Sequence, residues 1–534
     1  VSADPRIPAG EPAPADDRDR EPPRPAARRG TRFLLLISVF AVASAGLVYE
    51  LVAGAVSSYL MGDAVTQFSL VIGVFLCAMG LGSWLAQFIR RNLIRAFVEL
   101  EIWIGLIGGL SSLLMFAIDA FAEPLFPPLF YLLCAIIGVM VGAEIPLLVR
   151  IVKADTGVTQ ALSAVLALDY VGALIGAILF PLLALPLLGL SRASLVFGLM
   201  NLAVAAAGLT LLRERRRGPA VRVAVATLLL LAAFIGSTRM VGILEDILYQ
   251  DSVILVRQTP YQRIVLTRWR DDVRLFLNGH LQFSAVDEAR YHEALVHPAM
   301  AAAGRPTGVL VLGGGDGLAV REILKHPTVE RVTVVDIDPV VTELARTRDE
   351  LVALNEGALN DPRVTLVHTD AMRFLSTDET FYDVIIADLP DPSSAGLAKL
   401  YSGGFYALAA RRLARSGALV TQATSPYFAR EAFWSIERTI AGAVDGEELQ
   451  PLVTHPYHVH VPSFGEWGFV LAAFGELAVD HFTVTVPTRF LDDRTLRDAF
   501  AFPLDLQPVE VEANTLDNPV LHRLYQRGWD RFNQ

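Results

Sequence analysis

The first 240 residues carry one apolar run after another, each about as long as a bilayer is thick. A run of about 20 apolar residues crosses the ~30 Å hydrocarbon core as an α-helix. In that setting every backbone polar group must be satisfied internally, so helices packed side by side are the available solution. Candidate spans lie at roughly 33–53, 65–88, 97–118, 127–149, 160–186, 191–212 and 221–238. The last is the shortest. The whole chain of 534 residues is 53% hydrophobic, too apolar for a purely soluble protein, and the excess sits in this half. The expectation is a multi-pass α-helical membrane domain over 31–240. Residues 1–30, rich in Pro, Arg, Asp and Ala, read as a disordered tail without the plan of a signal peptide.

Basic residues set an orientation. Arg28, Arg29 and Arg32 precede the first run, and Arg90, Arg91 and Arg95 follow the second. Arg150 and Lys153 follow the fourth, and Arg213, Arg215, Arg216 and Arg217 the sixth. The pattern puts the N-terminus inside, so seven full spans place everything after residue 240 outside. If 221–238 lies along the bilayer instead, the C-terminal half stays in the cytoplasm. Glu50, Glu99, Glu101, Glu144 and Asp169 sit within or beside the spans. An acid at mid-bilayer costs on the order of 2.5–3.5 kcal/mol, so each needs a partner or a wet cavity. Two readings stay open: passage or docking of a cation, and interhelical hydrogen bonding. Gly80-Leu81-Gly82 and Gly105 to Gly109 suit close helix packing. Cys77 and Cys134 provide neither a disulfide framework nor a metal set. The net charge of −11 argues against nucleic acid and suits a cationic ligand, although solubility alone would also explain it.

Beyond residue 240 the composition is that of a soluble domain. Residues 252–283 alternate apolar and polar side chains around Asn278-Gly279, predicting a small antiparallel β-sheet subdomain over 250–285. Residues 287–295 read as a helix ending before Pro298. Residues 307–338 read as strand, glycine turn, helix and strand. Gly313, Gly314, Gly315 and Gly317 give the turn positive φ and let a ligand approach the backbone. Asp336 ends the second strand, where ligands of open α/β sheets bind. The pattern fits a nucleoside site or merely a tight turn. Asp316, inside the turn, would repel a pyrophosphate and attract a cationic tail, as in an S-adenosyl sulfonium. Further strands at 364–367, 382–387 and 418–422 place Asp370 and the run Asp388-Leu389-Pro390-Asp391-Pro392 on the same rim. Any one of these acids could be only a helix cap; together they predict a site. His455, His458 and His460 read as one strand face with no fourth ligand, so no metal is expected. The fold expected is a Rossmann-like α/β domain of the class I methyltransferase type over 286–480, with a capping C-terminal extension at 481–534.

These motifs resemble the spermidine synthase (polyamine aminopropyltransferase) family over roughly 250–475. They are TPYQRI (259–264), LFLNGHLQFSAVDEARYHEALVHP (275–298), VLGGGDGLAVRE (311–322), VVDIDP (334–339), HTDAMRFL (368–375), YDVIIADLPDP (382–392) and LYSGGFY (400–406). The apolar half resembles the membrane-attached bacterial branch. The resemblance implies transfer of the aminopropyl group of decarboxylated S-adenosylmethionine to putrescine or a related diamine, with no permanently bound cofactor. It implies that Gln262, Asp336, Asp370 and Ala371, with Gly313 and Gly315, bind the donor's methylthioadenosine part. Asp316 would hold the ammonium of the aminopropyl arm. His292, Gln282 and Tyr291 would line the amine channel. Asp388, helped by Tyr291, would accept the proton, and Asp391 would hold the distal ammonium. A homo-oligomer, dimer or tetramer, is expected. Two other readings are a polyamine transporter or sensor whose synthase-like domain only binds, and a methyltransferase. The methyltransferase is disfavoured because Asp316 would repel the carboxylate of S-adenosylmethionine.

Overall fold

The computed structural model describes residues 29–61, 64–212, 216–249, 251–444 and 450–532. The expected tail lies outside the described residues, apart from its last two, which begin the first helix; Arg213 and Arg215 lie outside them too. Seven helices occupy the predicted places: α1 (Arg29–Met61), α2 (Ala64–Leu85), α3 (Leu93–Ala122), α4 (Phe126–Thr156), α5 (Val158–Leu179), α6 (Leu185–Leu209) and α7 (Arg217–Tyr249). By length and composition, six helical runs could cross a membrane, one of them 52 residues long from Val158 to Leu209. At 1.5 Å per residue that run would be about 78 Å long if straight, enough for two passages. Gly189, at φ 72° and ψ 177°, breaks it into the two expected segments.

Among the described residues, the expected run 221–238 falls on Arg217–Ser237, a stretch long and apolar enough to cross a membrane. It is part of a 33-residue helix, as long as α1. Apolar counting stops near Ser237, but nothing in the next turns breaks a helix. Leu230 of α7 packs against Gly109 of α3 and Gly198 of α6, so α7 belongs to the bundle. Small residues set the closest approaches. A Cβ on Gly82 would lie 1.9 Å from the Val139 carbonyl oxygen, and one on Gly105 2.8 Å from that of Gly198. Glu99 finds basic partners in Arg95 and Arg222.

A four-stranded antiparallel meander follows: β1 (Ser252–Gln258), β2 (Arg263–Trp269), β3 (Asp272–Leu277) and β4 (His280–Ser284). Asn278 (φ 51°) and Gly279 (φ 84°) make the last hairpin turn, as that dipeptide predicts. Next comes α8 (Glu288–Ala303), which does not stop before Pro298. Proline removes the donor for the carbonyl four residues earlier. That carbonyl, of Ala294, instead accepts the Tyr457 hydroxyl at 2.7 Å.

The rest is an α/β unit. Its elements are β5 (Gly308–Gly313), α9 (Leu318–Leu324), β6 (Arg331–Asp336), α10 (Pro339–Thr347), α11 (Asp349–Asn355), β7 (Val364–His368), α12 (Ala371–Thr377), β8 (Tyr382–Asp388), α13 (Ala395–Ala398), α14 (Gly403–Arg412), β9 (Leu413–Gln422), α15 (Arg430–Ala441), β10 (Val453–Val461), β11 (Gly465–Ala473), α16 (Asp493–Asp498) and α17 (Leu521–Asp530). The sheet order is β10-β11-β9-β8-β5-β6-β7. The run β9-β8-β5-β6-β7 is parallel, and β11 and β10 add antiparallel. The parallel strands read as unbroken apolar runs because both faces are covered. Chain order reverses between β5 and β8, which puts a ligand crevice beyond Gly313 and Asp388.

Beyond residue 480 only two short α-helices form, so the extension is mostly irregular chain. It is nevertheless anchored beside the crevice. The buried Glu293 carboxylate of α8 accepts the backbone N–H groups of Arg489, Phe490 and Leu491 at 2.6–2.8 Å.

Candidate active site

The glycine turn leaves β5 at Gly313 (φ 82°) and Gly314 (φ 63°) and enters α9 through Gly317 (φ 82°). Space is as restrictive as dihedral angle. A Cβ on Gly313 would lie 2.0 Å from the Asp388 carbonyl oxygen, and one on Gly315 2.3 Å from Asp336 Oδ2. One on Gly314 would sit 3.1 Å from Asp388 Oδ2. The turn therefore runs between two carboxylates.

On one side, Asp336 Oδ1 accepts the Asp338 N–H at 2.8 Å, and the Gly315 N–H also reaches this carboxyl. Burial pushes Asp336 up to about 6, against those bonds. Asp338 caps α10 and accepts Thr259 Oγ1 at 2.7 Å and Gln262 Nε2 at 3.2 Å. Gln262, on the loop between β1 and β2, is thus tied to the end of β6 near Asp336. Asp370 and Ala371 start α12. Asp370 caps it through the Arg373 N–H at 3.0 Å and meets Lys399 Nζ at 2.7 Å. Its burial would raise its pKa, but Lys399 and the backbone N–H groups at the start of α12 together outweigh that and hold it below the usual range.

On the other side, Asp388 Oδ1 accepts the Tyr291 hydroxyl at 2.7 Å. Burial raises Asp388, with His292 and the tyrosine bond pulling against it. Asp316 turns one oxygen to the Leu318 N–H at 2.9 Å. Burial pushes it up to about 6; nearby His292 lowers it and nearby Asp388 raises it. His292 is the cationic counterpart. Burial alone would lower it, but its Nδ1 lies 3.0 Å from Glu288 Oε2, and that bond together with the charges of Glu288, Asp316 and Asp388 leaves it raised. Glu288 is itself held in place by Arg321, whose two terminal nitrogens reach its two oxygens at 3.0 and 2.9 Å, and by Arg489. The result is two half-buried acids facing one buried imidazole.

Asp391 lies farther along the β8 loop. Gln422 Nε2 donates to its Oδ1 at 3.2 Å, and the Tyr525 hydroxyl also reaches it. Burial pushes it up to about 6. Gln422 and Tyr401 brace the loop through the Leu389 carbonyl at 2.7 and 3.1 Å. Thr424 adopts φ 56°, an outlier for a β-branched residue, one peptide past that brace.

Of the predicted residues, Asp316, Asp388, Tyr291 and His292 converge, Asp336 and Gln262 share the opposite side, and Asp391 extends the first group. Gln282 is not drawn in: its amide donates to the His280 carbonyl at 3.0 Å within its own strand, and among the described residues it has no bond to these acids. The β10 histidines pair with carboxylates, His455 with Glu476 and both His458 and His460 with Glu466. No group of three metal-ligand side chains is placed to hold an ion among the described residues. Sequence reasoning missed Glu288, Tyr401, Gln422 and Tyr525. Glu288 stood inside a quoted motif; Tyr525 had no local signal at all.

Residues 288–482 match the family model of the spermine/spermidine synthase domain. A polyamine aminopropyltransferase of Leptospira interrogans is 48% identical over 508 residues, 93% of this chain and 99% of the relative. Polyamine aminopropyltransferase 1 of Ralstonia nicotianae is 46% identical over 528 residues, 97% of this chain and 99% of its own. A solved spermidine synthase, in complex with the transition-state analogue AdoDATO, matches 47% of this chain and 85% of its own at 27% identity, with a TM-score of 0.43.

Proposed function

Since the chain belongs to the polyamine aminopropyltransferase family, we propose that it moves an aminopropyl group from decarboxylated S-adenosylmethionine to putrescine, giving spermidine and methylthioadenosine. The observation that carries this reading is the half-buried pair Asp316 and Asp388 gathered around the buried His292 and Tyr291, across the glycine turn from Asp336. Asp336 takes the ribose hydroxyls, and Asp370 and Ala371 take the adenine end. Asp316 takes the ammonium of the donor arm. A donor that kept its carboxylate would set that charge against two half-buried acids, so the decarboxylated form is selected.

The amine nitrogen of the acceptor attacks the methylene carbon beside the sulfonium. A C–N bond forms, the C–S bond breaks, and its electron pair neutralises the sulfur as methylthioadenosine leaves. The leaving group is already activated. An aliphatic ammonium has a pKa near ~10, so the demand is for a proton acceptor at the attacking nitrogen. Asp388, oriented by Tyr291, takes that proton, and Asp391 holds the distal ammonium. Fixing both reactants over one turn supplies proximity.

The helical half anchors the enzyme in a membrane as a multi-pass domain. Its outer surface supports this: Leu76, Leu187 and Ile235 are 61%, 75% and 81% exposed, as side chains meeting lipid would be. The catalytic half faces the cytoplasm, where its donor nucleoside is made. Seven crossings with basic loops inside would put it outside, and protease accessibility on intact cells separates the two arrangements. The activity is tested by incubating the full-length protein with decarboxylated S-adenosylmethionine and a series of diamines. Methylthioadenosine release with putrescine supports the reading; donor binding without release on any amine sinks it.

A further inference from the structure

The helical domain buries two carboxyl groups whose oxygens are mostly without donors among the described residues. Glu101 of α3 and Glu144 of α4 are 0% and 2% exposed. They lie within hydrogen-bonding reach of each other. Yet neither oxygen of Glu101, nor Oε1 of Glu144, has a donor among the described residues. The buried Tyr49 of α1 sits beside both acids, its ring on Gly108, and its hydroxyl is also unpartnered. Asn201 of α6 is buried with both amide atoms unpartnered. α3 and α6 run antiparallel, with Gly105 against Gly198 and Val98 against Gly208. Glu101 and Asn201 each lie about one turn beyond the first contact, toward the second.

Among the described residues of this domain, no other buried side-chain polar atom lacks a partner. Glu99 has two arginines, and Ser111 bonds Ser194. Leaving several oxygens of one cluster without donors is costly in an apolar bundle. A proton shared by the two acids would make one hydrogen bond and leave the other acceptors unfilled. A primary ammonium brings a positive charge and three N–H donors to the same oxygens.

We infer that Glu101, Glu144, Tyr49 and Asn201 form a binding site for a primary ammonium group of a polyamine, separate from the catalytic crevice. The choice of a polyamine rests on the aminopropyltransferase reading, since such amines are what the catalytic half takes in and releases.

The test measures equilibrium binding of labelled spermidine to the full-length chain in nanodiscs, with methylthioadenosine release assayed on the same preparations. The wild type should bind about two equivalents per chain. Glu101→Gln with Glu144→Gln should lose one and keep turnover; Asp391→Asn should lose the other. Asn201→Leu, a milder change, should weaken the first equivalent by about tenfold, the scale of one lost charge-assisted bond. If the glutamine pair stops turnover, as misfolding would, the Asn201→Leu result decides. Unchanged affinity in Asn201→Leu, or a wild type whose only equivalent vanishes with Asp391→Asn, overturns the inference. Failure of the aminopropyl reading shows separately, as absent methylthioadenosine release.

Discussion

The Tyr291 hydroxyl donates to Asp388 Oδ1 at 2.7 Å, joining a helix residue to a strand-end carboxylate 97 positions later. This bond favours the ionised acid against the burial that opposes it. Tyr291→Phe should lower kcat by about 10–100-fold, the worth of a hydrogen bond to a charged group. The donor KM should move little. In the proposed reaction Asp388 is the base, so activity should rise as pH passes its pKa. Without the donor that pKa climbs further, and the acid limb of the pH–rate profile should shift to higher pH. A profile that falls in height without shifting would refute the role.

Asp316 and Asp336 both stand at about 6 in the unliganded protein, raised chiefly by burial. A bound ammonium at Asp316 and ribose hydroxyls at Asp336 favour the ionised forms, so donor binding expels protons between the free and bound pKa values. Donor affinity should therefore fall by about a hundredfold from pH 7 to pH 5, about tenfold for each acid. Methylthioadenosine, with the ribose but no ammonium arm, should lose only about tenfold, and so should the donor with Asp316→Asn. Calorimetric titration across that range checks all three; equal slopes for the two ligands would count against Asp316.

Tyr525 reaches Asp391 from the C-terminal extension. Tyr525→Phe should raise the acceptor-amine KM by roughly tenfold, as expected for loss of a bond to a charged group, and leave the donor KM unchanged. Steady-state kinetics with each substrate varied in turn gives the answer. A change confined to the donor would show that Asp391 does not hold the amine.

Tyr457→Phe should destabilise the protein by about 1–3 kcal/mol, because the buried Ala294 carbonyl loses its donor. Pro298→Ala restores an N–H four residues on, so the double variant should recover part of that loss. Thermal unfolding of the four proteins measures the coupling. Additive losses would mean that the hydroxyl does not replace the missing helix bond.

These particulars show what a linear reading reaches. The strands ending at Gly313, Asp336 and Asp388 were legible because parallel strands covered on both faces are short apolar runs followed by a loop. The Asp316 turn was legible because a carboxylate among glycines is incompatible with a phosphate cradle. The continuation of α8 through Pro298 was not, because its compensation comes from a residue 163 positions away from Ala294. Tyr525 was missed for the same reason, and the true length of α7 because an apolar count ends where a helix need not. Asp370 is a helix cap, as strand-end acids often are, and its pairing with Lys399 had no signal in the sequence.

The glycine turn has a consequence for how such a chain can drift. At its three successive glycines, an added methyl group would first strike the Asp388 carbonyl, crowd Val311 and the Asp388 side chain, or strike the Asp336 side chain. Neutral substitution is therefore closed at each position by a different neighbour. An accommodating change would have to come from the very acids proposed to handle the two substrates. In that reading the turn is a gauge, setting the gap between nucleoside and amine to the thickness of one bare backbone. Descendants that altered the amine would be expected to vary around Asp391 and Tyr525, where side chains face side chains, and to leave this stretch alone.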